Sequence, residues 1–560
     1  MIDTAKSESG ASPILRVESL SIAYEVLGRP LTAVSDVSFT LDAGGSIGIV
    51  GESGSGKSTL ARAIFGALPE NGRVSGGRVW LDGRELDTAP AAAHPERWKT
   101  VSFVPQAAMA SLDPLYKIGR QVGEIYRHHL GLDARAARAQ MTAMLAAFDL
   151  PERTLDMYPH ELSGGMQQRV IIAAALALEP KMLIADEPTT ALDTLVQDRV
   201  FATFDANRRR FGSALVLVTH DIGLVADFCQ HVLIMRNGRV EEQGPTASVL
   251  SRPAKAYTRM LLAATPRIHA DRKVRQLRPP EPSTAPILEF RGVSRTFAQR
   301  GQGMFQRAGT VRALDDVSFT VRKGEVLGII GASGSGKTTI ANIALGLDRP
   351  TAGEVVRDQA ASAGKGHRHE QLIFQNPYLA LNPIYSVAWA VSEPLRLARF
   401  PFGGWSSSSP DSRARVLAAL TAAELKPAEE FLHRRLHQLS GGQRQRVAIA
   451  RAMVVDPELI IADEPVSMLD VSIRAEVLQT LRNLVDAGHC GMIYITHDLA
   501  TVGSICDRLV VLRAGRIVEA GDCRTVLSAP RSEYTRELLQ ATPGRRLPEL
   551  AAPAFSSAQF

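Results

Sequence analysis

The sequence predicts an α/β protein with a mostly parallel core sheet, built twice in tandem. Three observations predict it. Short apolar runs such as SIGIVG (46–51) and KMLIADE (181–187) read as strands buried on both faces. Glycine turns and helix-length stretches alternate with them, and the whole series returns in the same order in the second half of the chain.

The repeat defines the domains. GESGSGKST at 51–59 returns as GASGSGKTT at 331–339, LSGGMQQR at 162–169 as LSGGQRQR at 439–446, and ADEPTTALD at 185–193 as ADEPVSMLD at 462–470. From the LSGG stretch onward the two copies keep one constant offset, joining Ser163 to Ser440, Asp186 to Asp463 and His220 to His497. So long a period means two domains rather than a solenoid of short units, and 560 residues exceed what one core usually organises. Domain one is expected at 1–266 and domain two at 287–545. Between them, 267–286 reads as an extended linker with four prolines from 279 to 286, and 546–560 reads as a loose tail.

Each half then follows one plan. SIGIVG and VLGIIG (326–331) are buried strands entering the glycine loops; FVPQ and IFQNP carry short strands; helical inserts are expected at 107–162 and 376–438. KMLIADE and ELIIADE (458–464) are further strands, as are the apolar runs ending in VTHD and ITHD. Asn237-Gly238 between apolar runs predicts a hairpin.

Composition narrows the function classes. Apolar residues make up 45% and charged residues 22%, an ordinary globular balance. The 64 basic and 58 acidic residues are interspersed, so a net charge of +6 reads as a mixed solvated surface, and no nucleic-acid partner is expected. The first residues lack the basic and apolar regions of a secretory signal, and VIIAAALAL (170–178) falls short of a membrane span. Cys229, Cys490, Cys506 and Cys523 show neither C-x-x-C spacing nor histidine clustering, and are expected to be reduced thiols without function.

The glycine loops carry the chemistry. Each satisfies G-x-x-x-x-G-K-[ST] between a strand and a helix, the context that gives the motif meaning. Gly51, Ser53, Gly54, Ser55, Gly56, Lys57, Ser58 and Thr59 are expected to cradle a nucleoside triphosphate, as are Gly331, Ser333, Gly334, Ser335, Gly336, Lys337, Thr338 and Thr339. Backbone N–H groups and the helix dipole attract the phosphates. Lys57 and Lys337 suit the β/γ-phosphates, and Ser58 and Thr338 offer hydroxyls to Mg²⁺. Asp186 and Asp463, ending apolar strands, suit the same Mg²⁺; Glu187 and Glu464, one residue on, suit polarising the attacking water. His220 and His497 are read as γ-phosphate contacts rather than structural histidines, since they recur in register. Gln106 and Gln375 are read as site groups, metal ligands included, with a surface amide as the bland alternative.

With the D-loops ALD and MLD, this ordered set resembles the ATP-binding cassette (ABC) family over roughly 14–265 and 287–542. The resemblance implies two P-loop nucleotide-binding domains, each with a RecA-like core, an antiparallel β subdomain and a helical subdomain. It also implies that the signature of one cassette caps the ATP of the other. Ser440, Gly441 and Gly442 would then hold the nucleotide at Lys57, and Ser163, Gly164 and Gly165 the one at Lys337. Tyr24 and Phe297 stand where the family stacks a ring on adenine, although a packed strand aromatic fits both.

The ends of the halves, AYTRMLLAATPR (256–267) and EYTRELLQATPG (533–544), resemble the oligopeptide and dipeptide importer ATPases, here fused. That implies two transmembrane permease subunits, an extracytoplasmic solute-binding protein, and a place on the cytoplasmic face of the inner or plasma membrane. Peptides lead as cargo; glutathione-like thiols, nickel chelates and opine-like compounds stay open. The chain departs from the pattern in three ways: no cysteine in 257–290, so no iron–sulfur cluster is expected; Met166 in place of the signature glutamine; and an altered segment at 351–370. A ribosome-associated ABC-F-like ATPase is the alternative from another class, disfavoured by the short, proline-broken linker.

Overall fold

The computed structural model describes residues 13–86, 97–106, 111–189, 192–265, 286–299, 309–357, 370–397, 410–487, 490–544 and 546–547. Most of the expected linker and tail lies outside them. Two compact units emerge, the first holding residues up to 192, 196–265 and the stretch from 543, the second holding 193–195 and the remainder up to 542.

Each unit is organised by a six-stranded sheet. In the first its order is Arg239–Pro245, His231–Arg236, Ser46–Val50, Ala214–Thr219, Met182–Asp186 and Val101–Val104. All neighbours run parallel except the outer pair. That pair is the hairpin the Asn-Gly dipeptide predicts: Asn237 and Gly238 have φ of 48° and 77°, the backbone a type I′ turn requires.

The apolar runs are continuous because both faces of this sheet are covered. Ile47, Ile49, Ile184, Val216 and Val218 join one core with Leu60 and Ile64 of helix Lys57–Phe65 and with an antiparallel sheet led by Leu15 and Val17. Their neighbours Val50, Leu183, Ala185, Leu215 and Leu217 join a second core with Ile118, Val122, Met141 and Phe148 of the helical insert. Burying each valine, leucine, isoleucine, methionine or phenylalanine among them is worth about 1.5–3 kcal/mol relative to leaving it in water. The sheet is thereby clamped between two layers, and the carboxyl ends of its strands are presented at a fixed height.

The second unit repeats this plan, with the order Glu370–Ile373, Leu459–Asp463, Gly491–Thr496, Val326–Ile330, Arg508–Arg513 and Arg516–Asp522. The copies differ in the antiparallel layer. In the first unit Leu15–Val26 pairs with Gly72–Leu81, and in the second Leu288–Gln299 pairs with the shorter Ala352–Arg357, which falls within the altered segment. Among the described residues, no helix is long and apolar enough to cross a membrane.

Candidate active sites

Both glycine loops turn from the central strand into a helix that starts at the lysine, Lys57–Phe65 and Lys337–Ala344. Gly51 and Gly331 open these turns because nothing larger fits. A Cβ would lie 2.2 Å from the Met235 carbonyl oxygen in one copy and 2.2 Å from that of Leu512 in the other. Inside each loop the ammonium group is buried and folded against the backbone. Lys57 Nζ donates to the carbonyls of Gly51 and Glu52 at 2.8 and 2.7 Å, and Lys337 Nζ to those of Gly331 and Ala332 at 2.8 and 2.9 Å. Burial lowers the Lys337 pKa from its ordinary value, which favours capture of an anion that restores the charge balance.

The strand-end carboxylates stand beside the loops. Ser58 Oγ donates to Asp186 Oδ1 at 3.0 Å, joining the P-loop helix to the strand Met182–Asp186. Asp186 is fully buried, and its Oδ2 has no partner among the described residues; nor does Ser335 Oγ in the second loop. Burial raises the Asp186 pKa, and burial followed by the Glu464 charge pushes Asp463 up to about 6. A buried carboxylate oxygen left unpartnered beside a hydroxyl fits Mg²⁺, which takes one or two protein oxygens and completes its shell with phosphate and water.

Glu187 and Glu464 follow immediately, and both backbones are left-handed with φ of 47°. A non-glycine residue held there costs on the order of 1 kcal/mol, which is offset where neighbours over-determine it. The Glu187 N–H donates to Val218 O and the Glu464 N–H to Ile495 O, each at 2.8 Å. The turn releases each carboxylate from the sheet toward two polar side chains. Gln106 Nε2 donates to Glu187 Oε2 at 3.2 Å, while His220 Nδ1 lies 2.9 Å from Glu187 Oε1. In the second copy, Gln375 Nε2 donates to Glu464 Oε2 and His497 Nδ1 meets Glu464 Oε1, both at 2.8 Å.

The electrostatics of the second trio follow from its geometry. Burial opposes charge on His497, but the hydrogen bond and negative charge of Glu464 win and raise the imidazole pKa. Burial likewise opposes charge on Glu464, and His497 with Lys337 overcomes it, leaving the carboxyl below its ordinary value. Glu464 is therefore ionised and able to accept a proton, beside a histidine poised to carry one.

The signature serines cap their own helices. Ser163 Oγ accepts from the Met166 N–H and Ser440 Oγ from the Gln443 N–H, each at 3.3 Å. Gly165 and Gly442 are close-packing positions, where a Cβ would meet Val196 Cγ1 at 2.6 Å and Ile473 Cγ2 at 2.5 Å. One difference separates the copies. Gln443 Oε1 accepts from the Ser440 N–H at 3.1 Å and completes a capping box, which Met166 has no acceptor to do. Met166→Gln is expected to add that bond and stabilise the first unit by about 0.5–1 kcal/mol. A higher thermal unfolding midpoint for that unit would confirm it; no change would show that the missing bond has no consequence.

The proposed adenine contacts differ too. Tyr24 is half-buried and its hydroxyl lies 3.1 Å from Thr59 Oγ1, at the start of the P-loop helix. Phe297 is 40% exposed, with the Arg295 guanidinium 4.6 Å from its ring centroid. Sequence reasoning missed Tyr257 and Tyr534, which it took only as marks of resemblance. Their hydroxyls accept from the N–H groups of Glu52 and Ala332, at 3.3 and 3.0 Å. Their recurrence at the constant offset was the available signal.

A P-loop, a strand-end aspartate and a glutamate paired with histidine and glutamine recur in both units. The family model "ABC transporter" matches residues 34–190 and 314–467, and "Oligopeptide/dipeptide transporter, C-terminal region" matches 241–300 and 518–553. The chain is 37% identical over 549 residues to the peptidoglycan transport ATP-binding protein YejF of Agrobacterium fabrum, covering 95% of this chain and 97% of that one. It is 36% identical over 572 residues to the glutathione import ATP-binding protein GsiA of Salmonella paratyphi A, covering 96% and 90%. Among solved structures, the archaeal ribosome recycling factor aABCE1, bound to ribosomal stalk protein aP1, aligns with a TM-score of 0.56 at 20% identity over 90% of this chain and 89% of its own. That likeness shows the fold alone. The chain belongs to the ABC transporter family and is an ABC ATPase.

Proposed function

We propose that this chain is the ATP-hydrolysing subunit of a membrane importer of di- or oligopeptides, working with two transmembrane permease subunits and an extracytoplasmic solute-binding protein. The observation that carries the reading is the match of the oligopeptide/dipeptide C-terminal region after each cassette. Two relatives alike over nearly the whole chain, named for peptidoglycan transport and for glutathione import, support the same class of cargo. The subunit would sit at the cytoplasmic face of the membrane, held there by the permeases.

Hydrolysis is assigned to the chain's own residues. Lys57 and Lys337 bind the β/γ-phosphates; Ser58 with Asp186, and Thr338 with Asp463, hold Mg²⁺, with Gln106 and Gln375 as further oxygen donors. The ion supplies charge neutralisation of the phosphoryl oxygens when bound. Glu187 and Glu464 orient and deprotonate the attacking water, and His220 and His497 contact the γ-phosphate while holding the glutamates in place. Tyr24 and Phe297 stack on adenine. The two cassettes are taken to close head to tail, so that Ser440, Gly441 and Gly442 complete the site of Lys57, and Ser163, Gly164 and Gly165 that of Lys337. Both sites are taken to be competent, because neither copy has lost a glutamate, histidine or lysine.

The purified chain is expected to hydrolyse ATP slowly, and faster once reconstituted with its permeases and offered a peptide-loaded binding protein. The measurement is ATPase rate in proteoliposomes with and without that loaded protein. Association with ribosomes and no stimulation by any permease complex would overturn the importer reading in favour of the ABC-F-like one.

A further inference from the structure

The helices Ala256–Ala264 and Glu533–Ala541 carry the repeated Tyr-Thr-Arg stretch, and both are held in the same way. A carboxylate from the last strand of each sheet fixes the helix start. Glu242 accepts from the N–H groups of Ala254 and Lys255 at 2.8 and 3.2 Å, and Glu519 from those of Arg531 and Ser532 at 2.8 and 3.1 Å. Each tyrosine ring is then buried, with the guanidinium of Arg236 or Arg513 at 4.8 Å from its centroid. This buried mooring, with a cation over an aromatic face, brings the phenol oxygen to the P-loop.

The contact falls on one particular residue. Glu52 donates its N–H to Tyr257 and offers its carbonyl to Lys57 Nζ; Ala332 does the same between Tyr534 and Lys337. The same N–H shares a stiff peptide plane with the carbonyl of the preceding glycine, Gly51 or Gly331, so fixing it restricts where that carbonyl points. Each of these carbonyls accepts from its lysine Nζ at 2.8 Å. The carbonyl in turn locates the ammonium.

We propose that Tyr257 and Tyr534 are positioning residues for the P-loop lysines, so that docking of the C-terminal helix sets the affinity of each cassette for the terminal phosphate of ATP. The inference rests on reading the P-loops as ATP sites. It adds a role for the segment that distinguishes this chain from a bare cassette.

Tyr257→Phe with Tyr534→Phe keeps both rings and their cation contacts and removes only the acceptor. In the full chain, binding of MgADP and of the non-hydrolysable MgAMP-PNP is measured by calorimetry. Loss of one neutral hydrogen bond from the relay is expected to weaken MgAMP-PNP about three- to tenfold. MgADP, which offers the lysine no γ-phosphate, loses less, and the nucleotide-free unfolding midpoint falls only by the small amount that the two lost hydrogen bonds cost. Unchanged MgAMP-PNP affinity would overturn the proposal. An equal loss for both nucleotides would also overturn it, since general loosening of the fold makes no distinction between them. A wild-type chain that bound neither nucleotide would instead overturn the ATP-site reading, so the two failures are distinguishable.

Discussion

Replacing Glu187 and Glu464 together by glutamine is expected to lower steady-state ATPase activity by about 100-fold or more, the contribution typical of a positioned general base. ATP binding should survive. The amide has the shape of the carboxylate, and the left-handed turn that presents it is held by backbone bonds to Val218 and Ile495 rather than by the side chain. What is lost is the negative charge that raises the pKa of His497 and can take a proton from water. With hydrolysis blocked and binding intact, the double variant is expected to retain two ATP molecules per chain. Each single variant should lower turnover. Wild-type activity in Glu464→Gln would show that site to be idle, and loss of ATP binding in either variant would show the glutamate to be a binding group.

The second large effect tests how the cassettes share their nucleotides. Lys57→Ala removes a buried cation and is expected to cost its site about 10- to 100-fold in activity, the range for hydrogen bonds to charged groups. If Ser440 serves the same nucleotide, Lys57→Ala/Ser440→Ala should cost little more than Lys57→Ala, because groups acting as a unit are not additive. Lys57→Ala/Ser163→Ala damages both sites and should be worse. Steady-state ATPase rates across these variants, with bound ATP counted, separate the cases. Independent losses in Lys57→Ala/Ser440→Ala would remove the head-to-tail arrangement.

Much of each site was legible because its parts are short and tied to strand ends. Gly51 through Ser58 can be read from spacing alone, since a lysine after a glycine loop at a strand-to-helix turn has few other uses. Tyr257 was not legible as a site neighbour. Nothing local in AYTRMLLAA distinguishes a tyrosine that fills a core from one whose hydroxyl reaches a loop some two hundred residues earlier, as this one does at Glu52. Met166 shows the intermediate case: the missing glutamine is visible in sequence, but only the N-cap geometry of Ser163 shows which bond is lost.

The sequence by itself determined the duplication, the α/β class with its strand-loop-helix order, the P-loops, and the identity of the glutamate, histidine and glutamine in each half. These follow from period, composition and motif spacing, which are properties of the chain written out in one dimension. Only the tertiary structure decided that Glu187 and Glu464 sit in a strained left-handed backbone, that each is clasped between a histidine and a glutamine from other strands, and that a tyrosine from the last helix of each half braces the loop that holds the lysine. The physical reason is common to all three. Such contacts join residues far apart in the chain, and their geometry is set by how the parallel strands stack and where the helices lock against them, which no local pattern encodes.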